Sequence, residues 1–287
     1  NFKKQDHFTG YNSLKEEKKI LQSTKDLEYH GLSISELPCA AFYPSGTSVF
    51  IRSAKVKEIQ AYSTVDETNF YDILEKVNQM ISSCVFLKFP DGTRKPYTHL
   101  VDGDRWYVLF AISELTFPNG NKLYAEVKNE KIPIERKYFE FHTMDEKLEK
   151  YYDRVGGKFI FPTKAGEIEM APPTIRLQKS FAEFMIKEVQ NKKELDQSFL
   201  KIIPFTLPNR TSITEEGIRK KLHEFETMED DKLFNFLNTT VEKLTFGIKG
   251  VAMLDESGME VRSDDIFPKG IKGLFLPDEW DDDFLIS

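Results

Sequence analysis

Residues 106–112, Trp-Tyr-Val-Leu-Phe-Ala-Ile, are seven apolar side chains with no polar interruption. A half-buried strand alternates in polarity; an unbroken β-branched and aromatic run this short suits an element covered on both faces. The run is therefore expected to be a buried strand. Its place near the middle of the chain makes it the candidate for the main core. Asp102-Gly103-Asp104 stands just before it. Nothing in residues 98–117, or elsewhere, assembles a reaction centre.

The 287 residues suffice for one large domain or two smaller ones. Forty per cent apolar and 30% charged residues mark a globular chain. Its 24 Phe and 11 Tyr sit inside periodic segments, as core residues would. Cys39 and Cys84 offer neither a disulfide framework nor zinc spacing, which fits a reducing interior or assembly inside one. No apolar run approaches the roughly 18–20 residues of a membrane span. Residues 255–287 hold ten acidic and three basic side chains, which accounts for the whole net charge of −7. The balanced remainder shows no basic stripe of the kind that binds nucleic acid by counterion release. Nucleic acid is not expected as the main partner.

In chain order, residues 1–36 are polar and Lys/Glu-rich, with one capping-box spacing at Ser13-Leu-Lys-Glu16. They read as a solvated extension or as an arm lying across a neighbouring subunit. Pro38, Pro44 and Gly46 punctuate a turn-rich lead-in, and residues 49–51 form a short strand. Thr64-x-x-Glu67 reads as the start of a helix carrying Phe70, Ile73, Leu74, Val77, Met80 and Ile81 at helical spacing. Between residues 85 and 175 turn signals recur among alternating segments, which predicts an antiparallel meander. Pro90-Asp-Gly92, Phe117-Pro-Asn-Gly120 and residues 163–166 supply the turns.

Four helical stripes follow. Leu177 to Val189 forms the first, and Leu195 to Ile203, closed by Pro204, the second. Ser212-x-x-Glu215 caps the third, and Glu229-Asp-Asp231 opens a fourth that ends at Gly247. A hairpin over residues 250–261 comes next. The expected architecture is α+β: mainly antiparallel sheet with packed helices and a helical subdomain towards the C-terminus. Its parts are an arm (1–36), an α+β body (37–175), the helical subdomain (176–246), and a β-hairpin with an acidic docking tail (247–287).

Candidate chemistry is sparse. Asp102-Gly103-Asp104 could suggest a metal, but two carboxylates around glycine also make an ordinary turn, and no third ligand sits at calcium-loop spacing. His99 lies near the pair without a nucleophile, so no triad forms. The histidines at 7, 30, 99, 142 and 223 are never paired. Gly156-Gly157 lacks the ending of a phosphate loop. Glu135, Arg136 and Glu140 read as a solvated strand face. No enzyme, cofactor or metal is expected. The tail is different: Trp280, Phe284 and Leu285 among five acids, after Phe275 and Leu276, suit a docking element for a basic partner.

Leu37-Pro38-x-x-x-Phe42-Tyr43-Pro44-x-Gly46, leading into Ile51-Arg52-x-Ala54-x-Val56-x-Glu58, and then Asp102-Gly103-Asp104-Arg105, resembles the baseplate hub proteins of T-even-like contractile-tailed bacteriophages. In that family a Leu-Pro-Ser-x-Gly-x-Tyr-Pro lead-in precedes Arg-x-x-x-x-x-Glu and a helix. The late Phe267-Pro-x-Gly-Ile-x-x-Leu274-Phe275 is similar to the family's ending. The resemblance covers residues 37–140 and 245–276. Some relatives carry Cys-x-x-Cys pairs in their hairpins; here the turns near Asn129 and Ser257 have no cysteine, so plain turns stand in place of a zinc knuckle. The resemblance implies a structural baseplate or tail hub subunit in the virion tail, assembled in the host bacterial cytoplasm. Its partners would be other tail proteins and copies of itself. An assembly chaperone not retained in the particle is the alternative. A tail-associated hydrolase would need paired carboxylates in a cleft.

Overall fold

The computed structural model describes residues 28–118, 123–127, 130–164, 166–191, 196–207, 213–254, 258–267 and 270–276. The helix signal at Ser13, the turns at Asn119-Gly120, Asn129 and Ser257, the cap at Ser212, and the anchors Trp280, Phe284 and Leu285 lie outside the described residues. The architecture is α+β, and among the described residues every strand pairing is antiparallel.

The chain opens with β1 (His30–Leu32), which pairs with β2 (Ser48–Ile51). The end of the expected arm is therefore part of the body. Helix α1 (Val56–Ser63) comes next, then α2 (Phe70–Cys84) and the strands β3 (Val85–Lys88) and β4 (Arg94–Pro96). These strands complete a sheet in the order β1-β2-β3-β4. The apolar stripe expected on α2 faces inward at Val77, Met80 and Ile81, whereas Phe70 at its start is 64% exposed. Its start is displaced from the expected position: Thr64 closes α1, and Asn69 caps α2 by accepting from the Tyr71 and Asp72 N–H groups. The Thr64 hydroxyl donates to the Ala61 carbonyl at 2.9 Å and Glu67 accepts from the Lys272 N–H at 3.0 Å, so the two do not form a capping box.

The central run is a helix, α3 (Arg105–Thr116), and not a strand. Tyr107 through Ser113 are all buried, so the expected two-sided burial holds although the element type does not. A helix buried all round shows no 3.6-residue period, because no side of it needs to be polar. A short apolar run cannot by itself separate the two structures. Phe110 meets Phe139 at 4.8 Å and Phe267 at 5.3 Å, and the Ser113 hydroxyl donates to the Leu274 carbonyl at 2.5 Å. Helix α3 is thus the axle around which body and C-terminal segment pack.

By inserting a helix, α3 also breaks the expected meander. Beyond it lie the hairpin β5 (Leu123–Val127) and β6 (Glu130–Ile134), then β7 (Phe139–Phe141) and the single turn α4 (Glu146–Glu149). Strands β8 (Tyr152–Asp153), β9 (Lys158–Thr163) and β10 (Gly166–Met170) form a separate sheet. The helical segment contains α5 (Ile175–Gln190), α6 (Gln197–Thr206), α7 (Glu215–Glu226) and α8 (Asp231–Lys243). Pro204 lies inside α6 rather than ending it. Thr214 caps α7 and Asp230 caps α8. Leu244 closes α8, and Gly247, at φ 149°, lies beyond its end. Strand β11 (Ile248–Leu254) then pairs with both β12 (Glu260–Ser263) and β7, tying the C-terminal hairpin to the body through one sheet. The buried side chains of body, helices and C-terminal segment form one continuous cluster.

Candidate functional site

Two pieces of the motif pattern, residues 37–43 and 102–105, meet at the first turn of α3. The segment Asp102–Asp104 is a 3-10 turn running directly into that helix, so of its two readings the turn fits. Asp104 occupies the N-cap position, yet its carboxylate does not cap. It turns instead towards the lead-in loop, accepting from the Cys39 N–H at 2.8 Å and the Tyr43 hydroxyl at 2.6 Å. The same hydroxyl accepts from the Val101 N–H at 2.9 Å. Leu37, Phe42 and Tyr43 are buried around this junction, Pro38 is half-buried, and Pro44 lies exposed at the turn. Phe42 packs on Phe246 at 4.8 Å. Asp102 pairs with the buried Arg105 guanidinium.

Asp104 is 0% exposed. Burial drives its carboxyl up to about 7, against the Tyr43 and Cys39 hydrogen bonds, which pull it down. Burial also raises the Cys39 and Tyr43 groups well above their ordinary values, with the Asp104 charge adding to it. Burial takes the Cys84 thiol to about 12. Both thiols are thus protonated and enclosed, whereas a reactive cysteine is an accessible thiolate.

The junction is also sterically closed. A Cβ added at Gly103 would stand 2.2 Å from the Phe246 carbonyl oxygen and 2.8 Å from the Cys39 sulfur. The obstruction is mostly backbone, which cannot swing aside as a side chain would. Gly103→Ala is expected to destabilise the fold by about 1–3 kcal/mol through overpacking. A denaturant midpoint equal to that of the parent chain would rule out the close approach.

Two open grooves lie elsewhere. One, of about 630 Å³, runs along α3 between Tyr107, Glu114, Arg136 and Leu274. Arg136 does not stand on a solvated strand face. It lies in a 3-10 turn, its guanidinium is 5.0 Å from the Tyr107 ring, and it bonds Glu114 at 2.6 Å. The second groove, of about 400 Å³, is formed by α4, Tyr151 and α8. Neither groove was expected from sequence, because the residues lining each come from segments far apart in the chain.

Of the expected docking anchors, Phe275 is 1% exposed and packs against Tyr62 at 5.0 Å, so it roots the tail in the core. Leu276 is half-buried beside it. His99 is partly buried with its ring edge-on to Phe89. Among the described residues no three His, Cys, Asp or Glu side chains are grouped as metal ligands would be. Among them, too, no helix is long and apolar enough to cross a membrane.

No protein-family model, curated protein or solved structure matches this chain. A role has to be read from its own residues.

Proposed function

We propose that this chain is a structural subunit of a bacteriophage baseplate or tail hub, acting through protein–protein contacts with other tail proteins and with copies of itself. The observation carrying this reading is the fate of Asp104. Its buried carboxylate is spent on the Cys39 N–H and the Tyr43 hydroxyl, joining two motif segments, 65 and 61 residues away in the chain. Arg52 and Glu58 of the motif are likewise paired with each other. Phe267, Leu274 and Phe275 of the late motif pack on or beside α3. The shared residues build a rigid platform, and the open grooves and acidic tail remain for partners. Such a subunit would reside in the virion tail after assembly in the host bacterial cytoplasm.

Mass spectrometry of purified particles tests the reading. The chain is expected at a fixed stoichiometry with the other tail proteins. Presence in infected cells but absence from finished particles would replace it with an assembly chaperone. A chain ending at Leu276 is expected to keep the parent melting temperature yet to be lost from particles, because Phe275 completes the core and the anchors lie beyond it. Undiminished incorporation of that chain would refute a docking role for the tail.

A further inference from the structure

The groove between α4 and α8 is the complement of the acidic tail. Lys147, Lys150 and Lys243 stand on its rim, Tyr151 and Phe236 form apolar walls, and Leu148 is buried beneath. Lys243 is held by Asp145 at 2.7 Å, the Lys150 ammonium lies 4.8 Å from the centre of the Tyr151 ring, and Lys147 completes the basic side of the groove. Phe236 is 39% exposed although its ring edge reaches Phe161 at 5.1 Å, so one side is supported and the other is bare. A space of about 400 Å³ accommodates an indole with a second apolar side chain. The tail carries that combination: Trp280 between Asp278-Glu279 and Asp281-Asp282-Asp283, with Phe284 and Leu285 following.

Resting on the hub reading, we propose that the tail of one copy docks in the α4/α8 groove of a neighbouring copy. Trp280 is the anchor between Tyr151 and Phe236, and the flanking carboxylates meet Lys147 and Lys150. The groove at the tail's own root argues against docking there. It is the one lined by Leu274, and the cations on its rim already have acidic partners: Arg136 pairs with Glu36 and Glu114, and Lys137 with Glu135. A head-to-tail contact of this kind closes into a ring when the rotation between copies permits and otherwise extends as a filament. Buried aromatic anchors supply the affinity, and the charges supply orientation and salt dependence.

Sedimentation of the full chain tests this. Wild type is expected to self-associate with concentration, and more weakly at high salt. Reversing the groove charge (K147E with K150E) or ending the chain at Leu276 is expected to weaken association by about tenfold or more. Mixing those two variants supplies one intact tail and one intact groove. The mixture should give a 1:1 heterodimer and nothing larger. If the reversed groove does not fold, K147Q with K150Q takes its place. Wild type that stays monomeric, a variant that associates like wild type, or a mixture without heterodimer each overturns the proposal. A monomeric wild type whose Trp280 fluorescence responds to groove charge would show the tail seated on its own chain, which also overturns it. Absence of the chain from purified particles would remove the hub reading while leaving a heterodimer in place, so the two failures are distinct.

Discussion

At about pH 4, where the native carboxyl is protonated, Asp104→Ala is expected to lower folding stability by about 3–6 kcal/mol, since two buried donors lose their acceptor at about 1–3 kcal/mol each and a small void is added; the loss shrinks towards about pH 7, because the variant is also rid of the buried charge. Those donors are the Cys39 N–H and the Tyr43 hydroxyl. Against a typical stability of about 5–15 kcal/mol, that loss brings the chain close to unfolding at ambient temperature. Asp104→Asn keeps the shape and an acceptor, and its difference from wild type should depend on pH. The native carboxyl titrates at about 7, whereas in the unfolded chain it titrates near about 3.9. Between those values the native state holds a proton that the unfolded state has released, so this group's contribution falls as pH rises through the window. Above about pH 7 both states have lost the proton and the penalty is constant. His99 tilts the other way: burial lowers it to about 4, so its unfolded form binds the extra proton and stability rises with pH. Subtracting the profile of D104N from that of wild type cancels His99. The remaining slope should be negative between about pH 4 and 7. A flat difference would mean that Asp104 is ionised throughout, with its hydrogen bonds outweighing burial.

What was legible in the sequence follows from where periodicity survives. Helix α2 is covered on one side only, so its apolar stripe is visible and the helix forms where the stripe lies. The hairpin of β9 and β10 is likewise marked by its turn and by alternation. Helix α3 is enclosed on all sides, and complete burial erases the period that would have identified it. The junction at Asp104 was legible only as a set of separate motif pieces. Tyr43 and Asp104 lie 61 residues apart, and no local rule pairs them. The tail's composition suggested an anchor, but its complement could not be seen. Lys147 and Lys150 reach Phe236 and Lys243 only after α8 has packed beside α4.

The Arg52–Glu58 pair is the second place where one side chain carries much of the platform. Glu58 accepts from both terminal nitrogens of Arg52, at 2.9 and 2.5 Å, and from the Lys55 N–H at 2.7 Å at the start of α1. Arg52 is 5% exposed. Glu58→Ala is therefore expected to cost about 3–5 kcal/mol, because it leaves a buried guanidinium without its counter-charge. The pair is separated by six residues, spanning a loop and the first turn of α1, which is not a helical i,i+4 spacing. Burial pushes the Glu58 carboxyl up, and the Arg52 and Lys55 hydrogen bonds more than offset this, holding it below its ordinary value. Its contribution is thus present above the unfolded carboxyl's pKa and is lost as pH falls through the lower, native value. The sign is opposite to that of Asp104, and the window is more acidic. Removing Glu58 should accordingly flatten the acid limb of the stability profile while leaving the slope between pH 5 and 7 to Asp104 and His99. The chain with both partners made apolar, R52M with E58L, separates charge from packing. It should be more stable than Glu58→Ala alone, since no unpaired charge remains buried. A double variant as unstable as the single one would mean that the hydrogen bonds and packing of the pair, and not the unpaired charge, account for the loss.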